Sequence, residues 1–431
     1  MKIVNIVPGF GGSFYCGNCL RDSVFVKTLK TLGHEAIMLP VYLPLTLNNN
    51  QESNDIPVFY GAVNIYLKQQ FKLLRHMPRW MHRFFDSMPI LRYAAKKAGS
   101  TRATGLEEMT ISMLKGAEGF QAEELNQMIY YLKHHEKPDV VHLSNSLLLG
   151  MAAKIREELG IPVVCSLQDE DVWLDAMAPN YQKILWDLMA EKASDVDAFV
   201  AVSHYFAKVM KGKMHIPDNK IFVVPIGVDP TIYEIFKPSV NPPVIGYLSR
   251  LCEDNGFEVL IDAFIELKDK SPHKEAKLRL SGGKTGDDKG FINKQVKKLK
   301  KKGYFKDVEW IEDIGLNARS DFFRGLSIVS VPVLKGEAFG LYQLESMASG
   351  IPVVQPALGA FPEIAETTGG GLIYQPNTPS ALASGLSALL SDTDKLKKMS
   401  EAGRNAVTTK YNANILAEMM VAVYQKVNLN R

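Results

Sequence analysis

The sequence predicts an α/β protein of two domains, each built on a doubly wound parallel sheet, and three observations carry that expectation. Short β-branched runs alternate with amphipathic helical stretches along most of the chain. A cluster of prolines without periodicity, Pro230, Pro238, Pro242 and Pro243, interrupts the alternation once and marks a linker over 229–243. The chain has 431 residues, too many for one ordinary core and enough for two.

In the first half, strands are predicted at 2–7, 34–42, 139–143, 161–167, 198–202 and 220–226. Gly33 closes a helix over 19–32, and amphipathic helices over 147–159 and 181–193 separate later strands. The second series places strands at 244–248, 277–281, 308–311, 328–333, 353–355 and 372–374. A last helix over 415–427 presents Leu416, Met419, Met420, Val423 and Val427, an apolar stripe that must dock, most simply back on the first domain. The expected division is 1–230, 243–411 and a crossover helix in 412–431, with a cleft between the two α/β domains.

Composition narrows the function. Hydrophobic residues make up 46% and charged residues 23%, the balance of an ordinary globular protein. A net charge of +3 gives a nucleic-acid partner no support. Four cysteines do not make a disulfide scaffold, and Cys16-x-x-Cys19 has no second pair to complete a zinc site. The N-terminal strand runs straight into Pro8-Gly9, unlike a signal peptide, and no run approaches the ~18 apolar residues of a membrane span. A cytoplasmic enzyme without a bound metal or cofactor is expected.

One insertion, about 66–97, departs from the alternation. Lys68, Lys72, Arg75, Arg79, Arg83 and Arg92 interleave with Phe71, Trp80, Phe84, Phe85 and Tyr93. Such a segment either lies in a membrane interface, as a peripheral contact at the inner face, or packs its aromatics on the first domain as a helical flap.

The segment richest in chemistry is Gly336-Glu337-Ala338-Phe339-Gly340-Leu341-Tyr342-Gln343-Leu344-Glu345. It joins an apolar strand to a helix that stops at Gly350, so its loop lies at the carboxyl end of a parallel strand, where open α/β sheets bind ligands. Two carboxylates eight positions apart suit a hydroxyl-rich ligand, because each accepts bonds from adjacent hydroxyls. Arg250 ends the strand Gly246-Tyr247-Leu248 and suits a diphosphate, or else a surface ion pair with Glu253 or Asp254. The loop Pro8-Gly9-Phe10-Gly11-Gly12-Ser13 lets backbone approach a ligand but is neither a dinucleotide fingerprint nor a P-loop.

Taken in order, Gly11-Gly12, Asp197 with Ser203, Pro225-Ile226-Gly227-Val228-Asp229, Gly246 with Arg250 and Gly256, Glu337-x7-Glu345, Gly350 to Val354, and Gly359 with Glu363 resemble glycosyltransferase family 4, the retaining group of GT-B architecture. The resemblance implies two Rossmann-like domains holding a nucleotide-diphosphate sugar as co-substrate, mostly on the C-terminal one. It implies that Glu345 binds the donor ribose and Glu337 lies by the transferred sugar. The run Ala338, Phe339, Gly340 and Leu341 would contact the sugar or phosphate, while Arg250 and Gly12 would hold the diphosphate. It also implies transfer to a glycan or lipid-linked acceptor, as in surface-polysaccharide synthesis, without a metal.

Two positions depart from the family's pattern. Asn255 stands where a second diphosphate cation, a lysine, is usual, leaving Lys284 or Lys335 to compensate. Gln168 stands in place of the usual histidine and cannot act as a base near neutral pH. Proton acceptance would then fall to Asp169 or Glu170, or to His142, while Asp169-Glu170-Asp171 also reads as a solvated turn. A catalytically impaired protein that binds a sugar nucleotide or a partner is the competing expectation.

Overall fold

The computed structural model describes residues 1–9, 17–42, 59, 103, 105–284, 286–311 and 316–429. Gly11, Gly12, Cys16 and the insertion at 66–97 lie outside the described residues.

The described residues hold two six-stranded sheets, and every pairing in them is parallel. The first contains β1 (Lys2–Val7), β2 (Glu35–Pro40), β3 (Val140–Leu143), β4 (Val163–Leu167), β5 (Ala198–Ala201) and β6 (Ile221–Val223), in the order β2-β1-β3-β4-β5-β6. The second contains β7 (Val244–Leu248), β8 (Lys277–Ser281), β9 (Val308–Ile311), β10 (Ile328–Val329), β11 (Val353–Pro356) and β12 (Gly371–Tyr374), in the order β12-β11-β10-β7-β8-β9. The central strands are buried throughout, as sheets covered by helices on both faces require. Both are Rossmann-like domains.

The chain divides into two compact units. One comprises the described residues up to Val224 with the terminal segment from Ala417, and the other runs from Pro225 to Leu416. The last helix is Ala413–Leu429, and its larger part belongs with the first unit, where Met420, Val423 and Val427 are buried. Met419, expected on the same stripe, is 41% exposed, because the helix turns Tyr424 inward and leaves Met419 off that face.

Three further expectations are corrected. The stretch 229–243 is not a loose linker. Asp229 caps the short helix Pro230–Ile232, Phe236 N donates to Ser349 O, Ser239 N donates to Leu326 O, and Tyr233 is buried, so the prolines form a strap fastened to the second unit. The helix predicted from residue 147 opens as the 3-10 turn Ser146–Met151 before Ala152–Leu159. There Gly150 lies so close to Met113 and Gly116 backbone that a Cβ would come within 2.1 Å of Met113 O. The strand predicted over 328–333 pairs only at Ile328–Val329, because the Val331 amide turns to Gln355 Oε1 and Pro332 has no N–H.

Candidate active site

In the second unit the chain runs from β7 outward to β8 and β9, then crosses to β10 on the other side of β7. That reversal opens a crevice at the carboxyl ends of β7 and β10, the place where doubly wound sheets bind ligands. Arg250 follows β7, Lys284 follows β8, and the loop containing Glu337 follows β10.

Three backbone contacts draw these loops together. Leu251 N donates to Gly283 O at 3.0 Å, and Leu334 N donates to Asp254 O at 2.9 Å. Gly256, at φ +68°, opens the helix Phe257–Lys270, and a Cβ there would lie 1.8 Å from Pro332 O. Only glycine meets both the left-handed backbone and the close approach. Lys284 is exposed on its loop.

Arg250 does not pair with Glu253 or Asp254 as the surface alternative supposed. Its Nε and Nη2 each donate at 3.0 Å to the carboxylate of Asp288, which is buried and opens the helix Asp288–Lys302. Asp288 raises the Arg250 pKa against the lowering effect of burial. Asn255 uses its amide locally: Nδ2 donates to Ser249 Oγ at 2.8 Å and to Arg250 O at 3.3 Å. It shapes the turn that carries Arg250 and adds no charge.

Glu337 is half-buried at the start of its loop, and its carbonyl accepts from Ala360 N at 3.0 Å. Its carboxylate lies over Gly340, the N-cap of the helix Leu341–Ala348: a Cβ on Gly340 would come within 2.8 Å of Glu337 Oε2. Ala338, Phe339 and Leu341 have buried side chains, so any ligand contact there falls to backbone. Glu345 is fully buried inside the same helix, bonded to Arg319 and Tyr233.

In the first unit Gln168 and Asp169 follow β4. Gln168 is buried; its Nε2 donates to Ser144 O at 2.7 Å, while Oε1 has no partner among the described residues. Asp169 is half-buried in a left-handed conformation, φ +55°. The acidic triplet is not a solvated turn. Glu170 is buried and accepts from Ser146 N at 2.9 Å and Gln168 N at 2.6 Å, tying the ends of β3 and β4 together. Burial pushes its pKa up to about 7 against the lowering effect of those backbone bonds. His142 bonds Ser166 Oγ at 2.8 Å and Tyr424 OH, is fully enclosed, and burial lowers its pKa to about 3. It is a core histidine, neutral and unavailable as a base.

Arg319, Tyr233 and Asp288 were not foreseen from the sequence. Arg319 had a signal: it stands three residues after Leu316 and three and four before Phe322 and Phe323, so helical spacing puts a cation on an apolar face. Asp288 and Tyr233 carried none, since both lie in stretches of polar or proline-rich residues.

Residues 230–406 match the family model described as Glycosyl transferases group 1, and residues 116–232 match that described as Glycosyltransferase Family 4. The chain carries glycosyltransferase domains. Among its relatives is an uncharacterised glycosyltransferase of Methanocaldococcus jannaschii, 22% identical over 320 residues that span 71% of this chain and 80% of that one. A D-inositol 3-phosphate glycosyltransferase of Corynebacterium glutamicum is 27% identical over 227 residues, 53% of this chain and 51% of its own length. In fold the chain is similar to sucrose-phosphate synthase of Thermosynechococcus elongatus, with TM-score 0.69 and 14% identity over the whole of both chains. It is likewise similar to HepE of Anabaena, solved with UDP, with TM-score 0.68 and 15% identity over 99% of this chain and 100% of that one. These likenesses establish the fold, two Rossmann-like domains of the GT-B kind. No helix among the described residues is long and apolar enough to cross a membrane.

Proposed function

We propose that this protein is a retaining, metal-independent glycosyltransferase that moves a sugar from a nucleotide-diphosphate sugar to a glycan or lipid-linked acceptor, in the assembly of surface polysaccharide or glycolipid. The observation that carries the proposal is the convergence of Arg250 and Glu337 on loops flanking the reversal between β7 and β10. A departing diphosphate and an oxocarbenium-like carbon need fixed donors on the phosphate and hydrogen-bond acceptors on the sugar. Arg250 supplies the first with Lys284, aided by amides at the start of the helix Leu341–Ala348. Glu337 supplies the second, accepting from sugar hydroxyls. The family resemblance also assigns Gly11 and Gly12 to the diphosphate. On the acceptor side Gln168 orients a hydroxyl, and Asp169 takes its proton. Soluble substrates reach the protein in the cytoplasm, and the insertion at 66–97 brings it to a membrane-borne acceptor.

The test is nucleotide release with UDP-, GDP- and ADP-sugars. Release with at least one donor, lost in Arg250→Ala and Glu337→Ala, supports the reading. Asn255, which adds no second cation to its turn, and Arg250 bound to Asp288 favour a second reading, an impaired protein that retains sugar-nucleotide binding. Tight binding without turnover for any donor and acceptor would select it.

A further inference from the structure

Glu170 is 2% exposed, and among the described residues no cation pairs with its carboxylate. The carboxylate meets backbone instead: Oε1 accepts from Ser146 N at 2.9 Å and Oε2 from Gln168 N at 2.6 Å. Ser146 opens the turn after β3 and Gln168 follows β4, so one side chain joins the loops at the carboxyl ends of two paired strands. Gln168 makes a second tie between these loops through Nε2 and Ser144 O, and Arg21 of the helix Gly17–Thr31 reaches the same carbonyl at 3.2 Å. Asp169 lies inside the ring that Glu170 closes on Gln168 N. Its φ of +55° and ψ of 19° are left-handed, a conformation seldom adopted by residues with a Cβ.

Burial penalises the charge of a carboxylate, so an amide in this place would cost the fold less. What the carboxylate supplies is a second acceptor. Two N–H groups meet its two oxygens, whereas a glutamine of the same shape would turn its own NH2 toward one of them and leave that amide without a partner. A left-handed residue of this kind persists where neighbouring bonds over-determine it. Glu170 is too enclosed to touch a substrate, while half-buried Asp169 stands on the turn that it closes. We propose that Glu170 is a positioning residue: by holding the Ser146 and Gln168 amides together it keeps Asp169 left-handed and so sets the direction in which the Asp169 carboxylate meets the acceptor. This role rests on the acceptor-side function proposed above for Asp169 and adds the group that fixes its geometry. Of the titratable groups, Asp169 on the same turn and Cys165 on β4 face Glu170, and burial keeps the Cys165 thiol neutral. Ionised Glu170 accepts from both amides. Protonation, at a pKa that burial raises to about 7, puts a hydrogen on one oxygen and weakens one of the two bonds. The clamp is complete above pH 7 and loosens below it.

The experiment has two arms on the full chain. The first reads amide hydrogen exchange by mass spectrometry in peptides that contain Ser146 and Gln168. In the native protein, protection corrected for the intrinsic rate should rise about fivefold or more from pH 6 to pH 8, and in Glu170→Gln it should be low at both. Protection that stays level in the native protein, or that Glu170→Gln leaves intact, would overturn the proposal. The native comparison decides alone if the variant does not fold. The second arm follows nucleotide release from UDP-, GDP- and ADP-sugars between pH 6 and pH 8. Glu170→Gln should lower kcat about tenfold with the donor KM within about twofold, and the fall in native kcat below pH 7 should be absent from its profile. Native kcat and an unchanged acid limb in Glu170→Gln would leave the transferase reading intact and overturn the positioning role. If the native protein turns over no donor while protection still follows Glu170, the transferase reading fails and the clamp on the Asp169 turn stands.

Discussion

Arg250 and Asp288 form a side-on pair in which Nε and Nη2 each meet the carboxylate at 3.0 Å. The pair fixes the plane of the guanidinium before any ligand arrives, and it also offsets part of the positive charge. Both effects bear on how a diphosphate would be stabilised, because Asn255 brings no second cation to the turn.

Arg250→Ala should lower the rate of nucleotide release about 10²-fold or more, as expected when a preorganised donor at a developing anion is removed. Asp288→Asn keeps a hydrogen bond to the fork but removes the charge that orients it. A smaller loss, about tenfold in kcat and with little change in KM, is expected from steady-state kinetics. An unchanged kcat in Asp288→Asn would show that the pair plays no part in turnover.

Glu337→Gln retains the shape of the side chain and its place over Gly340. If Glu337 accepts from sugar hydroxyls, the variant should bind free nucleoside diphosphate as the native protein does, yet lose about 10²-fold in turnover of the nucleotide sugar. Calorimetry with nucleotide and assays with nucleotide sugar separate the two effects.

Gly256→Ala would place a methyl 1.8 Å from Pro332 O at a backbone φ of +68°. The loops after β7 and β10 must then separate. A loss of about 2–4 kcal/mol of stability is expected, read as a lower denaturant midpoint. Gly303→Ala, at φ +75° with nothing within 4 Å, isolates the backbone share and should cost only about 1 kcal/mol.

His142 and Glu170 act on acid stability in opposite senses. The folded pKa of His142 is depressed to about 3, so below the ordinary value of 6.5 the unfolded chain binds a proton that the folded one refuses. Stability is lost as pH falls from 6.5 toward 3, at about 1.4 kcal/mol per pH unit. The folded pKa of Glu170 is raised to about 7 from 4.5, so its contribution is full below 4.5 and is lost as pH rises through 7. The two offset each other between pH 6.5 and 4.5, and only the His142 loss remains below 4.5. In His142→Gln, denaturant midpoints should therefore increase as pH falls from 7 to 4.5, and the native chain should show a nearly flat profile there.

Much of the architecture was legible because parallel strands buried on both faces must be runs such as Val140–Leu143 and Val163–Leu167, and helices between them keep a 3.6-residue period. Glu337 and Arg250 were legible for the same reason: charged residues directly after an apolar strand fall at its carboxyl end. Glu345 was legible as a residue but not in its surroundings. Its partners Tyr233 and Arg319 lie 112 and 26 positions away, a separation no local pattern encodes. Asp288 stands 38 positions from Arg250 and was missed likewise.

The sequence by itself determined the strands, their parallel pairing into two Rossmann-like sheets and the loops that bear the charged residues, since hydrophobic period and glycine placement are local properties of the chain. Tertiary structure alone decided which charged groups stay partly exposed, as Arg250 and Glu337 do, and which are held inside. His142 is closed in by Tyr424 and Ser166, while Glu345 already bonds Arg319 and Tyr233 inside the second unit. Burial excludes water, and in that environment a polar group keeps whichever partner the fold has already placed beside it.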